Sequence, residues 1–397
     1  MEKAVIVDAL RTPIGRYGGA LKDVRPDDLA ALVVAQAVQR NHLDPTTIED
    51  VYFGDANQAG EDNRNVARMA VLLAGLPVEI PAATMNRLCG SGMQAVVAAT
   101  REIETGNGVC LLAGGVESMT RAPYILEKPQ REFARGAQTM HDSTIGWRMV
   151  NPRLAEKYPP ISLGQTAEVV ARRYQISREE QDRWALDSHR KAVAAQEACY
   201  FRNELVAVTL PDGATFDRDE GPRPDTTLEK LAALKPAFEK NGTVTAGNSS
   251  PLNDGAACLV MMAESHAQRI GARPIARVLS AASAGVDPSC MGLGPIPASR
   301  KALQRAGLKP SELDSIELNE AFASQVIACV RDLELDPLRV NPNGGAIALG
   351  HPLGASGARI ITTLVHDLSR RKLRYGLATM CIGVGQGIAT VVENLAV

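Results

Sequence analysis

The sequence predicts an α/β fold built from two similar units. Short apolar strands alternate with amphipathic helices from Ala4 to Ala113, and the same alternation returns from Ala276 to Glu393. In each half a cysteine followed by glycines stands just after a strand, at Cys89 and at Cys381. Strands alternating with helices imply a mostly parallel sheet covered on both faces.

The elements follow in order. Ala4 to Ala9 is an apolar run bounded by polar residues and reads as a buried strand. Asp27 to Arg40 has helical spacing, with Pro26 and two aspartates at its start, where the helix dipole favours negative charge. Asp50 to Gly54 and Ala82 to Met85 are short strands, with a helix between them at Asn65 to Ala74. Gly90 to Glu104 is a long, mostly apolar helix that leads into a strand at Val109 to Ala113.

The last third repeats the scheme. Its strands are Ala276 to Ala282, Ser315 to Leu318, Leu377 to Cys381 and Ile388 to Glu393. Its helices are Pro297 to Ala306, Glu320 to Leu333 and Leu353 to Arg370. The stretch from about Arg121 to Val244 is more charged and less regular, as expected of an insertion that forms a lid, a binding loop or an oligomer contact.

Composition removes several function classes. Hydrophobic residues make up 45% of the 397, charged residues 22% and aromatics 4%, so an aliphatic globular core is expected. A formal charge of -2 offers no electrostatic case for nucleic acid or an acidic membrane. No uninterrupted apolar stretch approaches a membrane span. The opening Met1 to Asp8 has no leader character and the closing Glu393 to Val397 is no peroxisomal address, so a cytoplasmic protein is expected. The seven cysteines include no C-x-x-C pair, which argues against a disulfide framework or a common zinc site.

Three segments carry candidate chemistry. Cys89, in Asn86-Arg87-Leu88-Cys89-Gly90-Ser91-Gly92, sits between a strand and a helix. At a helix amino terminus the dipole favours a thiolate, and Gly90 and Gly92 would let a substrate approach; the alternative is a buried cysteine at a cap. His351, between Gly350 and Pro352, stands at the start of a helix as a base for a thiol or as a structural histidine. The other five histidines lie in polar stretches and read as surface residues. Cys381 ends a strand before Gly383, Gly385 and Gly387. A strand follows instead of a helix, so this is no dinucleotide loop; a tight turn presenting N–H groups, such as an oxyanion hole, fits better. Asn319 is either the N-cap of the helix after Leu318 or an amide placed to hold a water or oxyanion, and Glu320 reads as a buried acid.

Together these blocks resemble the thiolase family along nearly the whole chain. The matching segments are Arg11 to Gly15, Asn86 to Gly92, Gly114 to Met119, Val244 to Ser250, Asn253 to Ala257, Asn319 to Phe322, Gly350 to Pro352 and Cys381 to Gly383. The resemblance implies the thiolase fold: two duplicated α/β core domains in a layered sandwich, 1–271 and 272–397, with a loop domain inserted at about 121–244. It implies a homodimer or homotetramer and no metal or other cofactor, with coenzyme A and acyl-CoA as substrates. By the family pattern Cys89 is acylated, His351 activates it, and Cys381 is the general acid and base. Asn319 holds a water that, with His351, forms one oxyanion site; the N–H groups of Cys89 and Gly383 form the other. Arg223, Leu231, Phe238, Ala246 and Ser250 are carried over to the CoA site.

Within the family, short-chain acetoacetyl-CoA thiolases show His-Met-Gly where this chain has Ser162-Leu163-Gly164. The segments Arg16 to Leu21, Ala56 to Asn65 and Thr144-Ile145-Gly146-Trp147-Arg148 look like the 3-oxoadipyl-CoA thiolases of aromatic catabolism, whereas Ala355 and Ser162 to Gln165 depart from that branch. The expected substrate is 3-oxoadipyl-CoA or a fatty 3-ketoacyl-CoA. An acetoacetyl-CoA thiolase, a ketoacyl synthase or hydroxymethylglutaryl-CoA synthase, and a non-catalytic lipid carrier are the rival readings.

Overall fold

A computed structural model describes residues 2–396. Nine strands form the main path of the sheet. They are β1 (Ala4–Arg11), β2 (Asp50–Gly54), β3 (Ala82–Met85), β4 (Cys110–Ser118), β5 (Asn253–Ala263), β6 (Ala276–Gly285), β7 (Ser315–Leu318), β8 (Tyr375–Ile382) and β9 (Gln386–Asn394). Their order is β7-β8-β9-β6-β1-β5-β4-β2-β3, and Gly15–Arg16 adds a short tenth strand on β5. The main helices are α1 (Pro26–Arg40), α2 (Val66–Leu73), α3 (Ser91–Thr105), α4 (Leu163–Arg173), α5 (Arg178–Glu197), α6 (Pro295–Ala306), α7 (Ala323–Asp332) and α8 (Leu353–Arg371).

The duplication is visible in the pairing. β1 runs antiparallel to β5, β5 antiparallel to β4, and β4 parallel to β2. β6, β9, β8 and β7 repeat those senses in the same sequence. Even the irregularities match: the register slips between Ile6 and Asp8 in β1 and between Val278 and Ser280 in β6. The halves join where Val5 and Ile6 pair with Arg277 and Ala276.

The sheet is therefore mixed, which corrects the expectation of mostly parallel strands. The source of the difference is β5, whose opening Asn253-Asp254-Gly255 gives no strand signal in the sequence. β5 and its counterpart β9 each insert between two strands in antiparallel sense. Eight of the nine path strands follow the sequence reading closely; β5 is the omission, and β4 runs on through Gly114 to Ser118.

Side chains on the two faces of β1 sort into different cores, with Val5 and Val7 on one side and Ala4 and Ile6 on the other. α1 and α2 cover the outer face of the first half. α6 and α7 cover the outer face of the second. α3 and α8 share the inner core between them. α8 is buried along almost its whole length, as a helix enclosed by two sheets must be.

At the α3–α8 contact, a Cβ on Gly92 would stand 2.7 Å from the Gly354 carbonyl oxygen and 2.9 Å from the Ala358 nitrogen. A Cβ on Gly357 would stand 2.2 Å from the Met93 nitrogen. Gly90 faces Ile382 in the same way, at 2.5 Å. These glycines thus permit close packing of the protein on itself, not the substrate approach expected for Gly90 and Gly92.

The segment between β4 and β5 is more ordered than its composition suggests. It holds α4 and α5, each started by a capping box, Ser162 with Gln165 and Ser177 with Glu180. Fully buried Arg11 ties it to β1 by pairing with Glu204 and, through both terminal nitrogens, with Asp219 at 2.7 and 2.9 Å. Buried Glu320 ties it to the second half, accepting from Trp184, Ser188, Asn341 and the Ile347 N–H. No helix among the described residues is long and apolar enough to cross a membrane.

Candidate active site

Cys89 lies on a turn held by its own side chains. Asn86 Oδ1 accepts from the Leu88 N–H at 2.9 Å. Ser91 Oγ accepts from the Arg87 N–H and donates to the Leu88 carbonyl. These bonds keep Leu88 at a φ of +48°, a conformation that L-residues rarely adopt. Cys89 follows it, two residues ahead of α3, and is buried. Burial pushes its thiol up to about 11, against the opposing N–H of Gly383. Of the two sequence readings, this burial matches the buried cysteine: desolvation outweighs the Gly383 and Cys89 N–H groups that favour the thiolate.

His351 stands two residues ahead of α8. Its own N–H donates to the Asn253 side chain at 2.9 Å. Ser356 Oγ donates to the Pro352 carbonyl at 2.7 Å, which leaves a lone pair for the His351 Nδ1 hydrogen at 2.6 Å. That assignment fixes the tautomer: Nδ1 carries the proton and Nε2 is a free base. Asn319 Nδ2 faces Nε2 at 3.3 Å. Burial, with the charge of Arg359, pulls the imidazole down to about 3, so it is neutral across the physiological range.

Asn319 is not a helix cap. α7 begins only at Ala323, because Glu320 is used up on its four donors. The Asn319 N–H bonds to the Thr379 carbonyl, and its buried side-chain oxygen has no hydrogen-bond partner among the described residues. Cys381 is the next-to-last residue of β8, buried among Leu163, Met291 and Phe322. Burial, and next the nearby Cys89 sulfur, raise its thiol well above the ordinary value. The β8–β9 turn is tight, with φ of +62° at Val384 and +78° at Gly385.

Cys89 and Gly383 line a cavity of about 390 Å³ walled by Leu88, Trp147, Ile161, Leu163 and Val384. A second cavity of about 400 Å³ is lined by Arg16, His189, Arg223, Lys230, Leu231 and Ala246. It therefore gathers three of the five residues expected at the CoA site. Ser250 and Phe238 are not in its lining; Ser250 donates its N–H to Ala321, and Phe238 packs edge-on against Phe322 at 6.0 Å. Two histidines expected at the surface, His189 and His266, are buried. His189 Nδ1 accepts from the Arg223 N–H, and burial lowers its pKa to about 4. The positioning partners Ser356 and Asn253 escaped the sequence reading. A serine five residues after a helix-entry histidine was the available sign for the first.

A doubled α/β scaffold with two neighbouring buried thiols, and a neutral imidazole beside an amide whose oxygen is unpaired among the described residues, suits an acyl-transfer enzyme. The comparisons give the class its family. The chain matches the thiolase N-terminal domain over residues 4–265 and the thiolase C-terminal domain over 272–394. It is 53% identical over 402 residues to the 3-oxoadipyl-CoA/3-oxo-5,6-dehydrosuberyl-CoA thiolase of Escherichia coli (strain K12), covering 100% of both chains. It is 54% identical over 396 residues to a beta-ketoadipyl-CoA thiolase of Pseudomonas aeruginosa, covering 98% of each. The crystal structure of the Bacillus anthracis acetyl-CoA acetyltransferase superposes with a TM-score of 0.94 at 42% identity, over 100% of this chain and 99% of that one. The chain belongs to the thiolase family.

Proposed function

We propose that this thiolase cleaves a 3-ketoacyl-CoA with CoA, and that its substrate is 3-oxoadipyl-CoA. Two observed pairs support the reading, buried Cys89 near Cys381 and the Asn319 amide against His351 Nε2, and the proposal brings them together in one site. The substrate rests on the relatives from Escherichia coli and Pseudomonas aeruginosa, whose names state it.

His351 Nε2 takes the Cys89 proton as the sulfur attacks the 3-keto carbon. A neutral imidazole is the right partner for a thiol whose pKa is high, because the proton moves only as the new bond forms. The oxyanion is held by the imidazolium and by a water on Asn319. The bond between C2 and C3 then breaks, and Cys381 protonates the acetyl-CoA enolate at C2. After acetyl-CoA leaves, the Cys381 thiolate takes the proton of incoming CoA, whose sulfur attacks acyl-Cys89. The N–H groups of Cys89 and Gly383 receive this second oxyanion, and the departing Cys89 recovers its proton from His351.

CoA would lie along the cavity of Arg223, Leu231 and Ala246, whose cations suit phosphates; for Ser250 and Phe238, outside that lining, the family pattern alone supports a CoA contact. We assign the core domains to 1–271 and 272–397, and place the enzyme in the cytoplasm as a homodimer or homotetramer with no cofactor. A second reading, acetoacetyl-CoA thiolase, is favoured by the likeness to the Bacillus anthracis enzyme. Thiolysis kinetics on acetoacetyl-CoA, a medium-chain 3-ketoacyl-CoA and 3-oxoadipyl-CoA separate the two; comparable rates on all three would overturn the branch assignment. Cys381→Ala tests the mechanism: acetyl-CoA should still label Cys89, while thiolysis and condensation should both be lost.

A further inference from the structure

The cavity at Cys89 holds one charged side chain. Its walls are otherwise apolar or neutral, from Leu88 and Leu163 to Asn57 and Thr144, and the single cation is Arg148. Arg148 is half-buried and in no ion pair among the described residues. Its hydrogen bond to the protein is a long one, from Nη1 to the Ser143 carbonyl at 3.4 Å. A guanidinium has five N–H donors, so most of this one's capacity is unspent.

The loop that carries it is pinned at several points. Asn57 donates to the Ser143 carbonyl at 3.2 Å and to Ser143 Oγ at 2.9 Å. Thr144 is held by Asp142 through its N–H at 2.9 Å and its hydroxyl at 2.6 Å. The Trp147 indole N–H donates to the Ile161 carbonyl at 3.0 Å. A cation on a fixed loop, in an apolar-walled cavity beside the acylated sulfur, is built to pair with an anion on the acyl chain. The CoA phosphates have other cations in the second cavity, Arg16, Arg223 and Lys230.

We propose that Arg148 binds a carboxylate at the far end of the acyl chain, so that this site selects 3-ketoacyl-CoA substrates that end in a second acid. The proposal rests on the thiolase reading above and names the residue that sets its substrate class. Filling the cavity with the chain displaces water from around Arg148, which strengthens the pairing.

The test compares 3-oxoadipyl-CoA with 3-oxohexanoyl-CoA, of equal length and without the second acid, in wild type, Arg148→Met and Arg148→Lys. The ratio of kcat/KM for the two substrates should favour the acid in wild type and fall about 10- to 100-fold in Arg148→Met, as expected for losing a charge-assisted hydrogen bond. Arg148→Lys should restore part of that ratio. An unchanged ratio in Arg148→Met, or an equal loss on both substrates, overturns the assignment and leaves the thiolase reading intact. Failure of the wild type to cleave either substrate overturns the thiolase reading and this assignment with it.

Discussion

Replacing Ser356 by alanine removes one buried hydroxyl that lines neither cavity, and the structure says what it should cost. Ser356 Oγ takes the His351 Nδ1 hydrogen at 2.6 Å in a fully buried setting. The Pro352 carbonyl that also loses a partner keeps two others, the N–H groups of Ala355 and Ser356. The orphan created is therefore the imidazole N–H alone. Leaving a buried donor unsatisfied costs about 1–3 kcal/mol, and turning the ring or shifting its proton to Nε2 to avoid that cost removes the base. At about 1.4 kcal/mol per factor of ten, acylation of Cys89 should slow by about 5- to 150-fold. Quenched-flow mass spectrometry of the Cys89 acetyl adduct measures the step directly, and kcat/KM for thiolysis should fall with it. A Ser356→Ala enzyme that acylates within about twofold of wild type would refute the tautomer argument.

Two further outcomes follow from packing and burial. Gly92→Ala places a methyl against backbone atoms that no rotamer change can move, so the denaturation midpoint should drop by an amount equivalent to about 1–3 kcal/mol; an unchanged midpoint with a raised KM would return Gly92 to the substrate side. Burial, joined by the charge of Asp62, pushes Glu117 up to about 7, while its own oxygen accepts from the Ala56 and Gly354 N–H groups. Between about 4.5 and 7 the folded chain then holds a proton that the unfolded chain has released, so this group's contribution to stability falls as pH rises. Glu117→Gln stays neutral, and its melting temperature relative to wild type should climb from pH 5 to pH 8, by the equivalent of on the order of 2 kcal/mol; parallel curves would contradict the shift.

The strands and helices were legible because each half writes its periodicity plainly. Asp50–Gly54, Ala82–Met85 and Ser315–Leu318 fall where the apolar runs put them. β5 was overlooked although Ala256 to Ala263 is an unbroken apolar run; only its polar opening was hard to read, because Asn253 bonds the His351 N–H and the Gly15 carbonyl and Asp254 bonds Thr120. α4 and α5 had their capping boxes in view inside a charged segment; α4 also shows an apolar stripe at Ala167, Val170 and Ala171, whereas α5 has no clear one. The site residues were legible one by one as types suited to chemistry. Their assembly was not, since Asn319 meets His351 across 32 positions and Cys89 meets Gly383 across about three quarters of the chain. The two cysteines also proved unequal in place. Cys381 lies at the end of β8, whose partner in the first half is β4, whereas Cys89 lies at the entrance to α3.

The reciprocal glycine contact between α3 and α8 has a consequence for how such a site can arise. It sets the entrances of two corresponding helices side by side, one bearing sulfur and the other imidazole. A symmetric pair would bear the same group twice. On the proposed mechanism, two copies of the first half would keep the scaffold and have a nucleophile without its histidine base, and two copies of the second would have that base without Cys89. The proposed reaction therefore needs repeats that differ, and it draws on both of them for one centre.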